Sequence, residues 1–233
     1  MRMIKLRYKS SEIVVREYSP ENLEIGSILL LHGGGESSAL RLDVIAKDFA
    51  MHGLRVISFD HTGHGDTGGS LLGQSLKDRL LEASAVFDDF VNHDLPVAIM
   101  SFSMGAYPAV EIASSKNVSA LVLCAPAAYS NDSVNKKFGP EFKTAITDPN
   151  SWQNSKTFDN LQGYDGDTLL VLAGNDKVIP KAIYDRYIEV INKKGSKGKI
   201  LVLKHAKHQL GVWLTDNPIE RNKVVESVLA LLK

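Results

Sequence analysis

Six short apolar runs recur along the chain, and longer segments of mixed polarity separate them. The runs occupy residues 28–31, 56–59, 97–100, 120–123, 169–172 and 200–203. Near-continuous apolar runs of this length are typical of strands that are covered on both faces, as in a parallel sheet. The pattern therefore predicts a set of buried, parallel strands.

The segments between these runs place apolar residues at helical spacing. Helices are predicted at residues 40–51, 76–91, 104–115, 181–193 and 218–232. In the second of these helices, the apolar side chains that fall on one face are Leu80, Ala83, Phe87 and Phe90. A chain in which strands alternate with helices forms right-handed crossovers. We therefore predict an α/β fold, with a mostly parallel central sheet and helices on both faces.

Two stretches depart from this alternation. At the N-terminus, residues 3–8 and 13–18 are partly alternating runs around 9–11, which predicts an antiparallel hairpin. No core strand is predicted in the stretch 126–166, and a gap of that length in a compact domain is usually an insertion or a functional loop. We predict one domain over residues 1–233, in which 126–166 forms a partly helical cap insertion over the strand ends.

The composition limits the classes of partner. Lys and Arg together number 27, as do Asp and Glu, so the net charge is zero and no global field attracts nucleic acid. The single cysteine, Cys124, cannot form an intramolecular disulfide, and no stretch approaches the roughly 20 apolar residues of a membrane span. No cluster of His, Cys and carboxylate residues has metal-ligand spacing. We expect a cytoplasmic enzyme that needs no metal or cofactor and does not bind nucleic acid.

The strongest sign of chemistry lies at residues 99–106, where an apolar strand leads through a serine-containing turn into a predicted helix. This is the context of the G-x-S-x-G nucleophile elbow, in which a tight turn exposes a serine Oγ at the end of the sheet. Ser103 takes the serine position and Gly105 the second glycine, but Ser101 replaces the first glycine. The segment predicts Ser103 as a nucleophile, and the alternative is a serine-rich strand end without chemistry.

Two other strand ends carry residue types that a serine nucleophile needs. Asp176 follows the run at 169–172, where it either orients a histidine or caps the next helix. His205 and His208 follow the run at 200–203. The chain order serine, aspartate, histidine is that of the α/β-hydrolases, and ligands of open α/β sheets gather at the carboxyl ends of the strands. We therefore predict Asp176 as the orienting acid and a histidine of the last loop as the general base.

Two glycine-rich segments also follow predicted strands. The segment 32–35, His-Gly-Gly-Gly, allows backbone N–H groups to point into a cavity and stabilise an oxyanion, although an ordinary turn has the same composition. The segment 63–68 has the G-x-G-x-x-G spacing of a dinucleotide site. Because neither an immediate helix nor a second strand ending in an acid follows it, we do not expect a dinucleotide there.

The sequence resembles the α/β-hydrolase superfamily over nearly its whole length, and within it is similar to the small-cap esterases and lipases of the feruloyl-esterase and monoglyceride-lipase kind. The residues that carry the resemblance are 32–34, 59–67, 101–105, 123–127, 174–180 and 205–208. In that family the catalytic histidine lies a few residues past the last strand, usually after a small residue, which favours His208 over His205. The resemblance also implies that the backbone N–H groups of Gly34 and Met104 stabilise the oxyanion.

The identity of the substrate stays open at this point. The expected reaction is hydrolysis of a carboxylic ester of a small acyl substrate through an acyl-enzyme, and a thioester or a small peptide is the alternative on the same residues. Phe138, Phe142 and Trp152 of the predicted cap are candidate substrate contacts, although aromatic side chains also form a cap's own packing core. An alternative of another class is a non-catalytic binding protein on the same fold.

Overall fold

The structure, a computed structural model, describes residues 1–9 and 11–233 of the chain. The strands are β1 (Arg2–Tyr8), β2 (Ser11–Tyr18), β3 (Gly26–Leu31), β4 (Leu54–Phe59), β5 (Val97–Phe102), β6 (Ala120–Cys124), β7 (Asp167–Ala173) and β8 (Gly198–Leu203). The helices are α1 (Asp43–Met51), α2 (Leu76–Phe90), α3 (Ala106–Ser115), α4 (Pro140–Thr147), α5 (Thr157–Gly163), α6 (Lys181–Lys193), α7 (Leu210–Asp216) and α8 (Pro218–Leu229). Over the described ranges, no helix is long and apolar enough to cross a membrane.

The strands form one sheet in the order β1-β2-β4-β3-β5-β6-β7-β8. The neighbours from β4 to β8 pair in parallel, and β2 pairs antiparallel with β1 and with β4. The predicted α/β class with a mostly parallel sheet is therefore confirmed. The N-terminal hairpin forms as predicted, with Arg2 opposite Glu17 and Tyr8 opposite Ser11. Ser10, in the predicted turn of this hairpin, lies outside the described residues.

Helices bury both faces of the sheet, because alternate residues of each strand point to opposite sides. In β3, Leu29 and Leu31 share a buried cluster with side chains of α2, α3 and α6. Ile28 and Leu30 share a second cluster with side chains of α1, α7 and α8. The carboxyl ends of the parallel strands all lie at one edge, and the loops that carry the predicted site residues start there.

Some elements differ from the sequence prediction. The run at 200–203 belongs to β8, which forms the edge of the sheet and is only partly covered, so that Val202 is 56% exposed. The loop after β8 contains α7, where the sequence pattern predicted no helix. α7 forms because Leu210 and Leu214, one turn apart, are both buried in the core.

The segment 126–166 connects β6 to β7 and contains α4, α5 and short 3₁₀ turns. Of its aromatic side chains, Phe138 and Phe142 pack against Leu76 and Tyr107 of the main fold, and Phe158 packs in the core cluster on one face of the sheet. A backbone hydrogen bond from Phe138 N to Gln74 O, at 2.7 Å, also ties the segment to the start of α2. The segment is therefore partly helical, as predicted, and is anchored to α2 and α3.

Candidate active site

Ser103 lies on a strained turn at the end of β5. The strand ends at Phe102, Ser103 has a φ of 51°, and α3 begins at Ala106. A positive φ is unfavourable for a residue that carries a side chain, and such strain concentrates at functional sites. The strand–turn–helix context that the motif requires is therefore present at this serine.

The residues two before and two after Ser103 are packed closely. A Cβ on Gly105 would lie 2.7 Å from the carbonyl oxygen of Leu31, so this position has no room for a side chain. Ser101 is fully buried, and its Oγ donates a hydrogen bond to the carbonyl oxygen of Val122 at 3.4 Å. The neighbouring strand β6 thus accommodates a serine where the motif has its first glycine.

His208 connects Ser103 to Asp176. Its Nε2 lies 2.9 Å from Ser103 Oγ, and its Nδ1 lies 2.8 Å from Asp176 Oδ2. The three residues follow β5, β7 and β8, so the parallel sheet brings together positions that are distant in sequence. His205, the other histidine of this loop, is exposed. The structure therefore brings together all three residues that the sequence singled out, and it places His208 rather than His205 at the serine.

Asp176 both caps a turn and contacts the histidine. Its Oδ1 accepts hydrogen bonds from the backbone N–H groups of Val178, at 2.7 Å, and Ile179, at 3.1 Å. Its Oδ2 accepts from His208 and from the Tyr184 hydroxyl. Burial by itself would raise the pKa of Asp176, but the hydrogen bonds from Tyr184, His208 and the two amides lower it below its usual value. The group is therefore a carboxylate at neutral pH.

A cavity of about 320 Å³ opens beside Ser103 and His208, and Gly33 and Gly34 form part of its wall. A Cβ on Gly33 would lie 3.4 Å from Ser103 Cβ, and a Cβ on Gly34 would lie 2.9 Å from Met104 Cε. The glycine segment therefore packs directly against Ser103 and Met104. The two amides that the resemblance assigns to the oxyanion thus belong to segments that meet beside Ser103.

The three aromatic residues predicted to contact substrate do not line this cavity. Phe138 and Phe142 are buried and pack edge to face, with ring centroids 4.9 Å apart. Trp152 packs edge to face on Phe158, with ring centroids 5.9 Å apart. Packing accounts for the positions of all three, and their contact with substrate stays a prediction.

The glycine-rich segment 63–68 forms a compact loop. It contains a short 3₁₀ turn, Gly65–Thr67, and the next helix, α2, begins only at Leu76. The buried carboxylate of Asp60 holds the loop, since it accepts hydrogen bonds from Arg16 Nη1 at 2.7 Å and from Asp66 N at 3.1 Å. The loop thus lacks the helix N-terminus that a dinucleotide site needs. In residues 1–9 and 11–233, no group of three His, Cys, Asp or Glu side chains could hold a metal ion.

Sequence reasoning missed a group of buried polar side chains beside the glycine segment 32–35. We name this group the Arg79 cluster. Its members are Arg79, His32, His61, His64 and Glu82. Arg79 and Glu82 belong to α2, and each lies four residues before a buried apolar residue of that helix. Charged residues on the apolar face of a predicted helix were the signal in the sequence that could have revealed the cluster.

The buried histidines of this cluster are expected to make folding pH-dependent. Burial, with the nearby positive charge of Arg79, holds the pKa of His32 well below its usual value, so the folded state keeps it neutral. The unfolded state binds a proton at this histidine below about pH 6.5, so stability falls as the pH falls below that value. The expected loss from His32 alone is about 1 kcal/mol between about pH 7 and pH 5.5. Burial also lowers the pKa of His61 and of His64, which adds to the loss, whereas burial of Glu82, which raises its pKa, opposes it.

Urea unfolding across this pH range measures the effect. Stability that is flat over this range would contradict a neutral, buried His32.

Comparison with known proteins assigns the chain to a family. The family model described as "Serine aminopeptidase, S33" matches residues 24–152, which is more than half of the chain. The chain belongs to this α/β-hydrolase family. It is therefore a member of a family of hydrolytic enzymes, and the resemblance noted in the sequence is confirmed. A search of curated protein sequences finds no significant match.

Solved structures match this α/β-hydrolase over nearly its whole length. The thioesterase domain from the curacin biosynthetic pathway is 18% identical, with a TM-score of 0.71 over 98% of this chain and 99% of that one. An esterase of Pyrococcus furiosus is 18% identical, with a TM-score of 0.71 over 100% of this chain and 93% of that one. A monoacylglycerol lipase of Paleococcus ferrophilus is 17% identical, with a TM-score of 0.69 over 94% and 99%, respectively. At these identities the likeness shows the shared fold.

Proposed function

We propose that this enzyme hydrolyses carboxylic esters through an acyl-enzyme, with Ser103 as the nucleophile, His208 as the general base and Asp176 as the orienting acid. The observation that carries the proposal is the continuous pair of hydrogen bonds from Ser103 Oγ through His208 to Asp176, at 2.9 and 2.8 Å. Nucleophile and base within hydrogen-bond reach, with the base oriented by a third group, is the arrangement that activates a serine.

In the proposed reaction, Ser103 Oγ bonds to the carbonyl carbon of the ester while its proton moves to His208 Nε2. The carbonyl π electrons move onto the oxygen and form a tetrahedral oxyanion. Collapse of this intermediate expels the alcohol, which takes the proton from His208. A water molecule then attacks the acyl-enzyme while His208 accepts one of its protons, and a second tetrahedral intermediate forms. As the bond from the acyl carbon to Ser103 Oγ breaks, His208 returns the proton to Oγ, and the acid and free Ser103 are released. Asp176 holds the Nδ1–H tautomer and stabilises the imidazolium.

The proposed oxyanion donors are the backbone N–H groups of Gly34 and Met104. Two backbone donors aimed at the position of the developing negative charge stabilise the transition state more than the ground state, and one such donor lowers the barrier by about 3 kcal/mol. Close packing of Gly34 against the Met104 side chain supports this pairing, since it keeps the two segments side by side.

We also propose that residues 126–166 act as a cap within a single domain of residues 1–233. The segment is inserted between β6 and β7, which pair directly with each other through Ala120 and Asp167. The sheet is therefore continuous without it. Contacts of Phe138 and Phe142 with Leu76 and Tyr107 support a small structural unit that is seated on the main fold.

The names of proteins that are similar to this chain indicate several classes of substrate. The family description names an aminopeptidase, and the structures of like fold include esterases, a lipase and a thioesterase. The carboxylic ester is the leading proposal, and thioesters and amino-acid amides are the alternatives that the same three residues could attack. A non-catalytic role is disfavoured because nucleophile, base and acid are all present and hydrogen-bonded.

Turnover of three matched substrates tests the proposal. They are a short p-nitrophenyl ester, the thioester of the same acyl group, and an amino-acid p-nitroanilide. We expect the ester to be hydrolysed with the highest kcat/KM. Faster turnover of the thioester or the anilide would reassign the substrate class, and a folded protein that hydrolyses none of them would contradict a hydrolytic function at this site.

A further inference from the structure

Arg79 is a buried cation that has no role in the proposed mechanism of Ser103, His208 and Asp176. It is 2% exposed, and burial lowers its pKa to about 10. No carboxylate of the described residues lies within 4.0 Å of its guanidinium, and its buried Nε has no hydrogen-bond partner among them. Burial of a charge without a paired carboxylate opposes folding. An arginine kept in this environment therefore points to a role other than stabilisation.

The guanidinium contacts the glycine segment directly. Arg79 Nη1 donates a hydrogen bond to the carbonyl oxygen of Gly33 at 3.1 Å, and Nη2 donates to His64 Nε2 at 2.9 Å. His32 Nδ1 lies 2.7 Å from the same carbonyl oxygen, and the Phe138 ring packs 5.7 Å from the guanidinium carbon. Arg79 and His32 thus both contact one carbonyl oxygen of the glycine segment 32–35, that of Gly33.

The tautomer of His32 agrees with this arrangement. Its Nε2 accepts a hydrogen bond from the backbone N–H of His61 at 3.2 Å, so the proton of the neutral ring resides on Nδ1. Nδ1–H is then free to donate to the Gly33 carbonyl oxygen. Both contacts to that oxygen are therefore donor to acceptor, as hydrogen bonding requires.

The carbonyl of Gly33 and the N–H of Gly34 belong to the same peptide unit. This peptide is trans and planar, so the N–H points away from the carbonyl oxygen. The oxygen faces Arg79 in the interior, and Gly33 and Gly34 line the cavity beside Ser103. The N–H of Gly34 is therefore held toward the side of the peptide that faces the cavity.

We propose that Arg79 is a positioning residue that fixes the Gly33–Gly34 peptide so that the Gly34 N–H donates to the oxyanion. The inference rests on the proposed function, because it assigns a cause to the geometry of the oxyanion donor. A charged donor on the carbonyl also polarises the peptide and strengthens the N–H as a donor.

Three successive glycines explain why this peptide needs such a clamp. Gly33, Gly34 and Gly35 lack the Cβ atoms that restrict φ and ψ, so rotation of a peptide between them meets little steric resistance. A rotation by half a turn would aim the Gly33 carbonyl, rather than the Gly34 N–H, at the oxyanion. Arg79 and His32 resist this rotation because it would break both of their hydrogen bonds.

Kinetics of Arg79→Met and Arg79→Lys test the proposal. For a p-nitrophenyl ester, we expect Arg79→Met to lower kcat by roughly 10- to 100-fold, less than or equal to the loss of a whole oxyanion donor, with KM changed by about threefold at most. Arg79→Lys retains a cation and one donor, so it should recover much of the lost kcat. The same substitutions should weaken a trifluoromethyl ketone inhibitor, which forms an anionic adduct with the serine, by a factor similar to the fall in kcat.

Glu82→Gln is the matched control, because Glu82 belongs to the same cluster but contacts His61 and Thr62 instead of the Gly33 carbonyl. It should lower Tm while kcat and the ketone affinity stay near those of the parent. If Arg79→Met does not fold, Arg79→Gln replaces it, because glutamine removes the charge but keeps a polar side chain, and the same losses in kcat and ketone affinity are expected. Normal kcat and ketone affinity in a folded variant that lacks the charged donor to the Gly33 carbonyl would overturn the inference while the proposed function stands. Absence of ester turnover in the unmodified protein would overturn both.

Discussion

Ser103→Ala is expected to lower kcat/KM for a p-nitrophenyl ester by about 10⁴-fold or more, to near the residual rate that an oxyanion site alone supplies. The proposed acyl-enzyme needs the Oγ of Ser103, and no other hydroxyl lies within hydrogen-bond distance of His208 Nε2 in the described residues. Alanine tolerates the positive φ of this turn no worse than serine, so the variant should fold. Steady-state kinetics, with Tm measured in parallel, gives the result.

Ser115→Ala serves as the control for removal of a serine hydroxyl. Ser115 lies at the exposed end of α3, where its Oγ contacts only backbone carbonyl oxygens of the same helix. Its loss should leave kcat/KM unchanged. Undiminished turnover in a folded Ser103→Ala variant would show that another residue is the nucleophile.

Asp176→Asn is expected to lower kcat by about 10⁴-fold while the fold is kept. Two backbone amides, Val178 N and Ile179 N, donate to Oδ1, so the asparagine oxygen takes that position and its NH₂ group faces His208. The NH₂ then donates to Nδ1 and places the ring proton on Nε2, where it points at Ser103. A histidine in this tautomer cannot accept the serine proton.

Tyr184→Phe is the matched comparison at the same carboxylate. It removes one hydrogen-bond donor from Asp176 Oδ2 but leaves the Nδ1–H tautomer of His208 in place. We expect a loss of only a few-fold in kcat, because the carboxylate keeps its other donors. Equal losses in the two variants would show that Asp176 acts through general packing instead of the histidine tautomer.

Much of the fold could be predicted from the sequence, because buried parallel strands have a simple pattern. Each apolar run became a strand, and only β8 failed to be covered on both faces, since it lies at the edge of the sheet. α7 could not be predicted, because a helix of seven residues that contains Gly211 forms only when Leu210 and Leu214 find the core.

The candidate site could be predicted from the sequence for a related reason. Ser103, Asp176 and His208 each follow a strand, and parallel strands end at one edge, so chain order alone brings the three side chains near one another. The choice between His205 and His208 depended on the exact path of the last loop. The position of Phe138 and Phe142 depended on the packing of the segment 126–166, which has no strand register to fix it.

For the Arg79 cluster, the sequence holds a signal for burial of Arg79 on α2 but none for the atom that Arg79 contacts. A charged residue on a helix is ordinarily solvated, and only the path of the glycine segment across α2 shows that Arg79 is buried against the Gly33 carbonyl. Such a contact joins residues 46 positions apart through a backbone atom, which has no signature in residue type.

Active-site labelling tests the central claim most directly. A fluorophosphonate reacts when an activated serine Oγ attacks its phosphorus and fluoride leaves, so the modification identifies the nucleophile. The account predicts one label per chain on Ser103, assigned by fragmentation that separates it from Ser101, and no label after Ser103→Ala. A folded protein that takes no label, or a label on Ser101 or any other residue, would contradict it.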